Sequence, residues 1–577
     1  MDTTNQKEPT IITLTGRYLS ENIQHLPSGR INKKYTGIGA TTLELKDDSR
    51  NSIIVVPTRA LAATKAKDGV FYIGGPYDDH IGDNIEIIKS EFNNGKNIKI
   101  MAVADTFNEL FYSNKDFFLN SFHLVIDEID SFQSESYYRE SLHHTLDIFR
   151  LYNKDRRTLI SATLQTFSEQ DFQDLDLYII EKKDSSPLTL ELFHSLGDIE
   201  ADLAYLINML IRQNPHEKIL VAFNLIAGIK QAIAALGKDL NIGVLCGEKS
   251  LLKIPPEYRS YLVNGKLSSQ VTFITSAYFV GVDIKENGSV IVVGDPMRDF
   301  TAPTKSKIIQ VIGRLRNGTN RNIFLFKTNT SKAVIMREFQ RSLINTIDSE
   351  FLSAKNRIIR LSLADKQLKT WGPQVNIEEI AASSHFNGLK ILRKDMDNNQ
   401  LRKNTLTIDY ILQQQEAYNK IYNMPGRTKT YLSKDNYFNA RTPIDIKNHL
   451  DESAKKRLIE INSNLEKNER KMVIEYIETR VCSFGYLGEA PCPSRYKSLI
   501  DNLFITFYHC NECEIIKTLL VDKLNSDISI SEFKKFVDII LYLKLWNIEQ
   551  IAMQLGSLLP DNRLTKNAIN DNEIVKL

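Results

Sequence analysis

The feature that most constrains this chain is the apolar run Phe122 to Ile126, closed by the acidic box Asp127-Glu128-Ile129-Asp130. A short run of this kind reads as a strand buried on both faces, as in a parallel sheet. It delivers two carboxylates at its C-terminal end, where one can hold a magnesium ion and the next can polarise a water. Acidic turns are common at strand ends, so the box gains weight from its company. Ser161-Ala162-Thr163 follows the next strand, and Gln310-Val311-Ile312-Gly313-Arg314-Leu315-Arg316 comes much later.

Around that strand, Ser52 to Val56, Ile98 to Val103 and Thr158 to Ile160 are further strand candidates, alternating with helical stretches. The alternation is the signature of a parallel sheet wrapped by helices. A second block repeats it with Lys218 to Phe223, Asn241 to Leu245, Val271 to Thr275, Ser289 to Val293 and Asn322 to Phe326. Beyond about residue 350 the strand signal fades, and Ile408 to Tyr422, Ser453 to Cys482 and Ser531 to Leu555 show helical periodicity. The expected plan is an N-terminal segment (1–29), an α/β lobe (30–185), a second α/β lobe (186–345) and a mainly helical accessory region (346–577). A chain of 577 residues allows about two to four domains.

Composition narrows the class. A hydrophobic share of 42% with 25% charged residues supports an ordinary globular core. The net charge of +2 neither favours nor excludes nucleic acid, because phosphates are bound by local patches. Five cysteines in so long a chain exclude a disulfide framework and suit a reducing compartment. Met1 to Thr10 is polar, without the apolar centre of a signal peptide, and no run is long enough to span a bilayer. A soluble, cytoplasmic protein without a membrane partner is expected.

Thr36-Gly37-Ile38-Gly39-Ala40-Thr41-Thr42 resembles a Walker A loop, in which glycines let backbone N–H groups wrap phosphates. Thr41 stands at the magnesium hydroxyl position, but Ala40 occupies the position of the phosphate-binding lysine. Lys33, and after it Lys34, are the candidates to supply the missing charge. Asp127 is the expected magnesium ligand and Glu128 the residue that positions water, with Asp130 completing the box.

Pro57-Thr58-Arg59-Ala60-Leu61-Ala62 resembles helicase motif Ia, whose hydroxyl, guanidinium and backbone N–H suit a phosphate backbone. Asp105-Thr106 ends another strand and is a second contact or a helix cap. Ser161 and Thr163 resemble motif III, and Asn224 falls in a motif IV-like turn. Thr275-Ser276 with Gly281-Val282-Asp283 resembles motif V. Gln310, Gly313, Arg314 and Arg316 form Q-x-x-G-R-x-R, the most specific of these matches.

Over roughly residues 30 to 330 this ordered set resembles the superfamily 2 helicases in the DEAD/DEAH-like sense, with a degenerate Walker A loop. The loop itself resembles those of helicase-like proteins carried by phages and mobile elements. The resemblance implies two tandem RecA-like lobes, each a parallel sheet flanked by helices, with ATP and Mg2+ between them and a nucleic-acid strand, DNA ahead of RNA, across both. It implies nucleotide contacts for Gly37, Gly39, Ala40, Thr41, Thr42, Gly281 and Asp283, and nucleic-acid contacts for Pro57, Thr58, Arg59, Thr106, Asn224 and Thr275. Gln310, Arg314 and Arg316 would serve hydrolysis, and Ser161 and Thr163 would couple it to grip.

The helical region offers one further pattern. Cys510 and Cys513 have metal-ligand spacing, and Cys482 with Cys492 would complete a four-thiolate zinc site. The long 482-to-492 gap and the apolar flanks favour buried free thiols instead. The same region is a place to clamp nucleic acid, to dock a protein partner or to brace the two lobes, and the sequence does not choose among these. The expectations are therefore an ATP-driven helicase or translocase, a catalytically silent nucleic-acid binder on the same lobes, or the motor subunit of a larger assembly.

Overall fold

The computed structural model describes residues 8–66, 69–74, 81–183, 186–237, 239–368, 376–386, 389–395, 397, 399–479, 492–506, 510–526 and 530–543. The chain divides into two compact units. One takes in residues up to Gly247 together with Tyr258–Ala454, the other Glu248–Glu257 and the residues from Lys455 on.

The first sheet of the first unit has eight strands: β1 (Thr10–Leu14), β2 (Gly29–Asn32), β3 (Ser52–Val56), β4 (Val70–Ile73), β5 (Lys99–Val103), β6 (His123–Asp127), β7 (Arg157–Ser161) and β8 (Leu177–Lys182). Their order is β1-β8-β2-β7-β6-β3-β5-β4, and every pairing is parallel. β3, β5, β6 and β7 are buried along their whole length. Strand alternation explains the unbroken apolar runs. Ile53 and Val55 face a core with Phe107 and Phe111, while Ile54 and Val56 face another with Leu43 and Leu61.

The second sheet is built from β9 (Leu188–Ser195), β10 (Ile219–Ala222), β11 (Ile242–Leu245), β12 (Val271–Ile274), β13 (Gly288–Gly294) and β14 (Thr319–Phe326). These run in the order β11-β12-β10-β13-β14-β9 and are again parallel. The architecture is two tandem RecA-like lobes with a helical C-terminal region.

The sheets reach beyond the stretches that the sequence marks as α/β. β1, inside the expected N-terminal segment, is the edge strand beside β8. Two short strands from the expected helical region, β15 (Phe438–Ala440) and β16 (Ile444–Ile446), pair in parallel with opposite ends of β9. Helix Thr330–Leu368 runs through the expected 345/346 boundary. Helix Thr405–Lys420 serves both lobes: its Leu406 enters the first-lobe core and its Tyr418 the second.

The second unit is helical. Helices Glu452–Thr479, Ser494–Thr506, Cys510–Asn525 and Ile530–Leu543 contribute Tyr476, Ile500, Leu520 and Phe536 to its own core. Cys482 and residues 544–555 of the expected helical stretch Ser531 to Leu555 lie outside the described residues, as do the side chains of Cys510 and Cys513. Cys492 is a partly buried free thiol. Among the described residues no group of His, Cys, Asp and Glu could hold a metal as a cluster of three or more, and no helix is long and apolar enough to cross a membrane.

Candidate nucleotide site and nucleic-acid face

Three neighbouring strands, β2, β7 and β6, end side by side and carry the site. Lys33 follows β2 and donates its backbone N–H to the carbonyl of Ser161 at the end of β7, 2.8 Å away. Asp127 lies one strand further, about 10 Å from β2 at ordinary strand spacing. A lysine stem spans that gap. The Lys33 ammonium lies 3.0 Å from Asp127 Oδ1 and 3.6 Å from Glu128 Oε1, and all three side chains are largely buried. The next residue, Lys34, takes the left-handed conformation (φ 52°) and directs its own ammonium to Glu181, at 2.7 Å. Of the two candidate lysines, only Lys33 pairs with the acidic box.

Thr41 closes the other side of Asp127, its hydroxyl donating to Oδ2 at 2.5 Å. Ala40 opens helix Ala40–Lys46 and is buried, and Thr42 is exposed. Gly37 and Gly39 have φ of 73° and 81°, the left-handed region that glycine enters without the clash a Cβ would make. Glu128 occupies the same region at φ 57° with no such freedom, a strain of about 1–2 kcal/mol. Its Oε2 is buried without a hydrogen-bond partner.

Burial would lower the Lys33 pKa, but Asp127 and Glu128 outweigh it and hold the ammonium above its ordinary range. Burial would raise Asp127, and Lys33 with Thr41 reverse this, keeping it ionised below the usual carboxylate range. Glu128 goes the other way. Burial first, then the nearby Asp127 and Asp130, push it up despite Lys33.

Asp130 gathers a separate network. Ser161 donates to Oδ1 at 2.6 Å, and Thr163 to Oδ2 at 2.6 Å. Gln310 of the second lobe donates its Nε2 to the same Oδ2. Gly313 and Arg316 lie against the phosphate-type loop: a Cβ on Gly37 would stand 2.9 Å from Arg316 Nη1, and one on Gly313 would collide with Thr36 Oγ1. Arg316 is tied to Asp283 Oδ1 through Nε (2.8 Å) and Nη2 (2.6 Å). Asp283 also lies 3.8 Å from Lys65 of the first lobe. Arg314 is fully buried and donates to the carbonyls of Gln310 and Val282, with burial and Arg316 lowering its pKa to about 10. Gly281 packs against Leu61, on the helix that follows Thr58.

A cavity of about 1230 Å³ opens between the lobes, walled by Thr36 and Gly37 on one side and Gly313 and Arg316 on the other. Tyr431 and Tyr437 of the accessory region line it too, which the sequence did not signal. Their segment is tied to the second lobe by the short strand β15, and no periodicity announces so brief a strand.

Of the expected nucleic-acid contacts, Thr58 caps helix Arg59–Lys65 by accepting from Leu61 N–H, and Arg59 is exposed. The Pro57 carbonyl accepts from Arg139 at 2.7 Å. Asn224 accepts from Ser276 N–H at 3.0 Å, and Thr275 beside it is buried. Thr106 corrects its expectation. It is only 3% exposed, because helix Ala104–Ser113 packs that face inward, and neither it nor Asp105 caps the helix. Asp105 is instead engaged by Arg139 and Ser141.

Residues 35–172 match the family model described as DEAD/DEAH box helicase. That stretch of the chain is similar to the DEAD/DEAH box helicase family. Solved structures similar to the chain include Mss116p (NTE and C-tail double deletion) bound to ssRNA and AMP-PNP, at 15% identity and a TM-score of 0.38, over 64% of this chain and 85% of that one. The Mycobacterium smegmatis helicase Lhr bound to ssDNA and AMP-PNP is similar at 14% and 0.36, over 70% and 59%. The Escherichia coli DEAH/RHA helicase HrpB is similar at 16% and 0.35, over 53% and 41%. No curated protein matches the sequence.

Proposed function

We propose that this chain is an ATP-driven helicase or translocase that hydrolyses ATP between its two lobes while gripping a strand of nucleic acid. The observation that carries the reading is the Lys33 ammonium, set between Asp127 and Glu128 beside a loop whose own lysine position is Ala40. A charge lost from the loop is regained from the preceding strand end, in contact with the acidic groups that hydrolysis needs.

The donor set suits magnesium and a nucleotide. Thr41 and Asp127 offer hard oxygen ligands side by side, and Glu128 Oε2 is a buried acceptor still without a partner. Magnesium held by Asp127 and Thr41 would neutralise charge on the phosphate oxygens. Glu128, with its pKa raised, accepts a proton from the attacking water more readily than an ordinary carboxylate does. Lys33 supplies an ammonium and Arg316, lying over Gly37, a guanidinium from the facing lobe. Ser161, Thr163 and Gln310 meet on Asp130, a relay between the acidic box and the second lobe. Thr58, Arg59 and Asn224 would meet the sugar-phosphate backbone, a sequence-blind contact open to DNA and RNA, with the buried Thr275 behind Asn224.

The test is ATP hydrolysis by the full chain, with and without single-stranded DNA or RNA, beside Glu128→Gln. Turnover stimulated by nucleic acid and lost in the variant is the expected result. Ala40 favours one alternative, a silent nucleic-acid binder. Strand binding without turnover above Glu128→Gln would establish that instead.

A further inference from the structure

A row of aromatic side chains on the first unit has no part in the nucleotide site. Tyr138 is 60% exposed and Phe300 49% exposed, with Tyr137, Met297 and Arg298 beside them in sequence. Single exposed apolar residues are ordinary, but these come together from separate segments. The Tyr137 ring stacks on Tyr410 of helix Thr405–Lys420 at 4.5 Å and meets Tyr138 edge-on at 4.8 Å. Two turns further along that helix, the Tyr418 hydroxyl donates to Asp299 Oδ1 at 2.8 Å, just before Phe300.

The ends of this row are fixed to the two expected backbone-contact regions. At the first-lobe end, Arg139 beside Tyr138 donates to the Pro57 carbonyl at 2.7 Å. At the second-lobe end, Asn224, which accepts from Ser276 N–H, donates to the Phe300 carbonyl at 3.0 Å. Tyr138 and Phe300 are therefore each anchored beside one of these regions, and helix Thr405–Lys420 joins the two ends through Tyr410 and the buried Tyr418. The acids beside the row are paired: Asp299, next to Phe300, lies 2.7 Å from Lys332, and Glu135, which hydrogen-bonds Tyr138, lies 3.1 Å from Arg139, while Arg298 lies 5.9 Å from the Phe300 ring centroid.

We propose that this row is a stacking surface for the unpaired bases of a single nucleic-acid strand, with Tyr138 and Phe300 as its two open platforms. The proposal rests on the nucleic-acid reading above and adds to it: sugar-phosphate contacts position a strand, whereas aromatic faces hold bases of any identity. Tyr137, stacked on Tyr410, braces the Tyr138 platform, and Asn224 fixes the backbone of Phe300. Grip would then depend on the bases as well as on charge, without sequence preference.

The experiment measures affinity of the full chain for a single-stranded oligonucleotide and for an abasic oligomer of the same length and charge. It is run on wild type, Tyr138→Ala, Phe300→Ala and the double variant, at several salt concentrations. Wild type is expected to prefer the base-bearing strand by at least about tenfold, and each variant to lose about 5- to 100-fold of its affinity for that strand. The abasic affinity and the salt dependence should stay unchanged, because no phosphate contact is removed. Equal binding of both oligomers by wild type, or unaltered affinity in the double variant, would overturn the stacking proposal and leave the nucleic-acid reading standing. No binding of either oligomer by wild type would remove both.

Discussion

Lys33 and Asp127 meet at 3.0 Å across the strand end that separates them, while Thr41 holds the other oxygen of the same carboxylate. The lysine thus approaches the acidic box from β2, where the usual arrangement would bring it from the first turn of the loop helix. Lys33→Met is expected to lower ATP turnover by about 100-fold or more, the scale of losing one preorganised charge donor. Adding Ala40→Lys to that variant should recover part of the rate by restoring the charge at the loop. Steady-state hydrolysis decides it. Wild-type turnover in Lys33→Met would detach this residue from the chemistry.

Gly37→Ala tests the contact between the loop and the second lobe. With φ at 73° an alanine is strained by about 1–2 kcal/mol, and its Cβ would press on Arg316 Nη1. Turnover should fall, and pairing the change with Arg316→Ala should remove the steric part but not the backbone part. Kinetics and denaturant midpoints of both variants separate the two effects. An alanine with wild-type stability would contradict the backbone assignment.

Asp130→Ala removes the acceptor for Ser161, Thr163 and Gln310 at once. Buried groups left unpaired cost about 1–3 kcal/mol each, so a loss of several kcal/mol in urea unfolding is expected, against about 1 kcal/mol for Ser161→Ala. Gln310→Ala should spare most of the stability and uncouple hydrolysis from nucleic acid, leaving basal turnover with little stimulation. Full stimulation in Gln310→Ala would argue against the relay.

Asp409, on helix Thr405–Lys420, accepts from Ser168 N–H and from Gln133 of the first lobe, and burial pushes its pKa up to about 7. A carboxyl raised in the folded state contributes stability that is fully present below its ordinary pKa, near 4, and lost as the pH rises to about 7. Asp409→Asn cannot ionise, and its amide oxygen keeps one of the two acceptor positions, that for Ser168 N–H. The variant should flatten the decline in stability between pH 4 and 7 and gain up to about 4 kcal/mol over wild type at pH 8. Urea unfolding at pH 5 and pH 8 provides the comparison, and equal destabilisation at both would reject it.

The acidic box, Ser161-Ala162-Thr163 and the Gln310 to Arg316 stretch were legible because each follows or flanks an apolar run whose burial the residues themselves declare. β3, β5, β6 and β7 announced themselves in the same way. β1 is exposed at three of its five residues, and β15 and β16 are three residues each, paired with a strand far away in sequence. No local period marks such strands, since their partner alone makes them strands. Lys33 could be named from the sequence, but not its direction, which depends on the spacing of β2, β7 and β6. The approach of Tyr137 to Tyr410 and of Phe300 to Asn224 is likewise a product of tertiary packing alone.

β9 has consequences for how this chain can be divided. Its outer edge is covered by β15 and β16, strands that the ribosome delivers long after the rest of the sheet. Until they arrive, or in a chain cut near residue 345, a row of backbone donors and acceptors stands open and invites a second copy to pair. The pair of lobes is therefore no detachable cassette that happens to carry a tail. The second lobe is sealed from downstream, and a shortened gene would yield an adhesive product before it yielded a smaller protein.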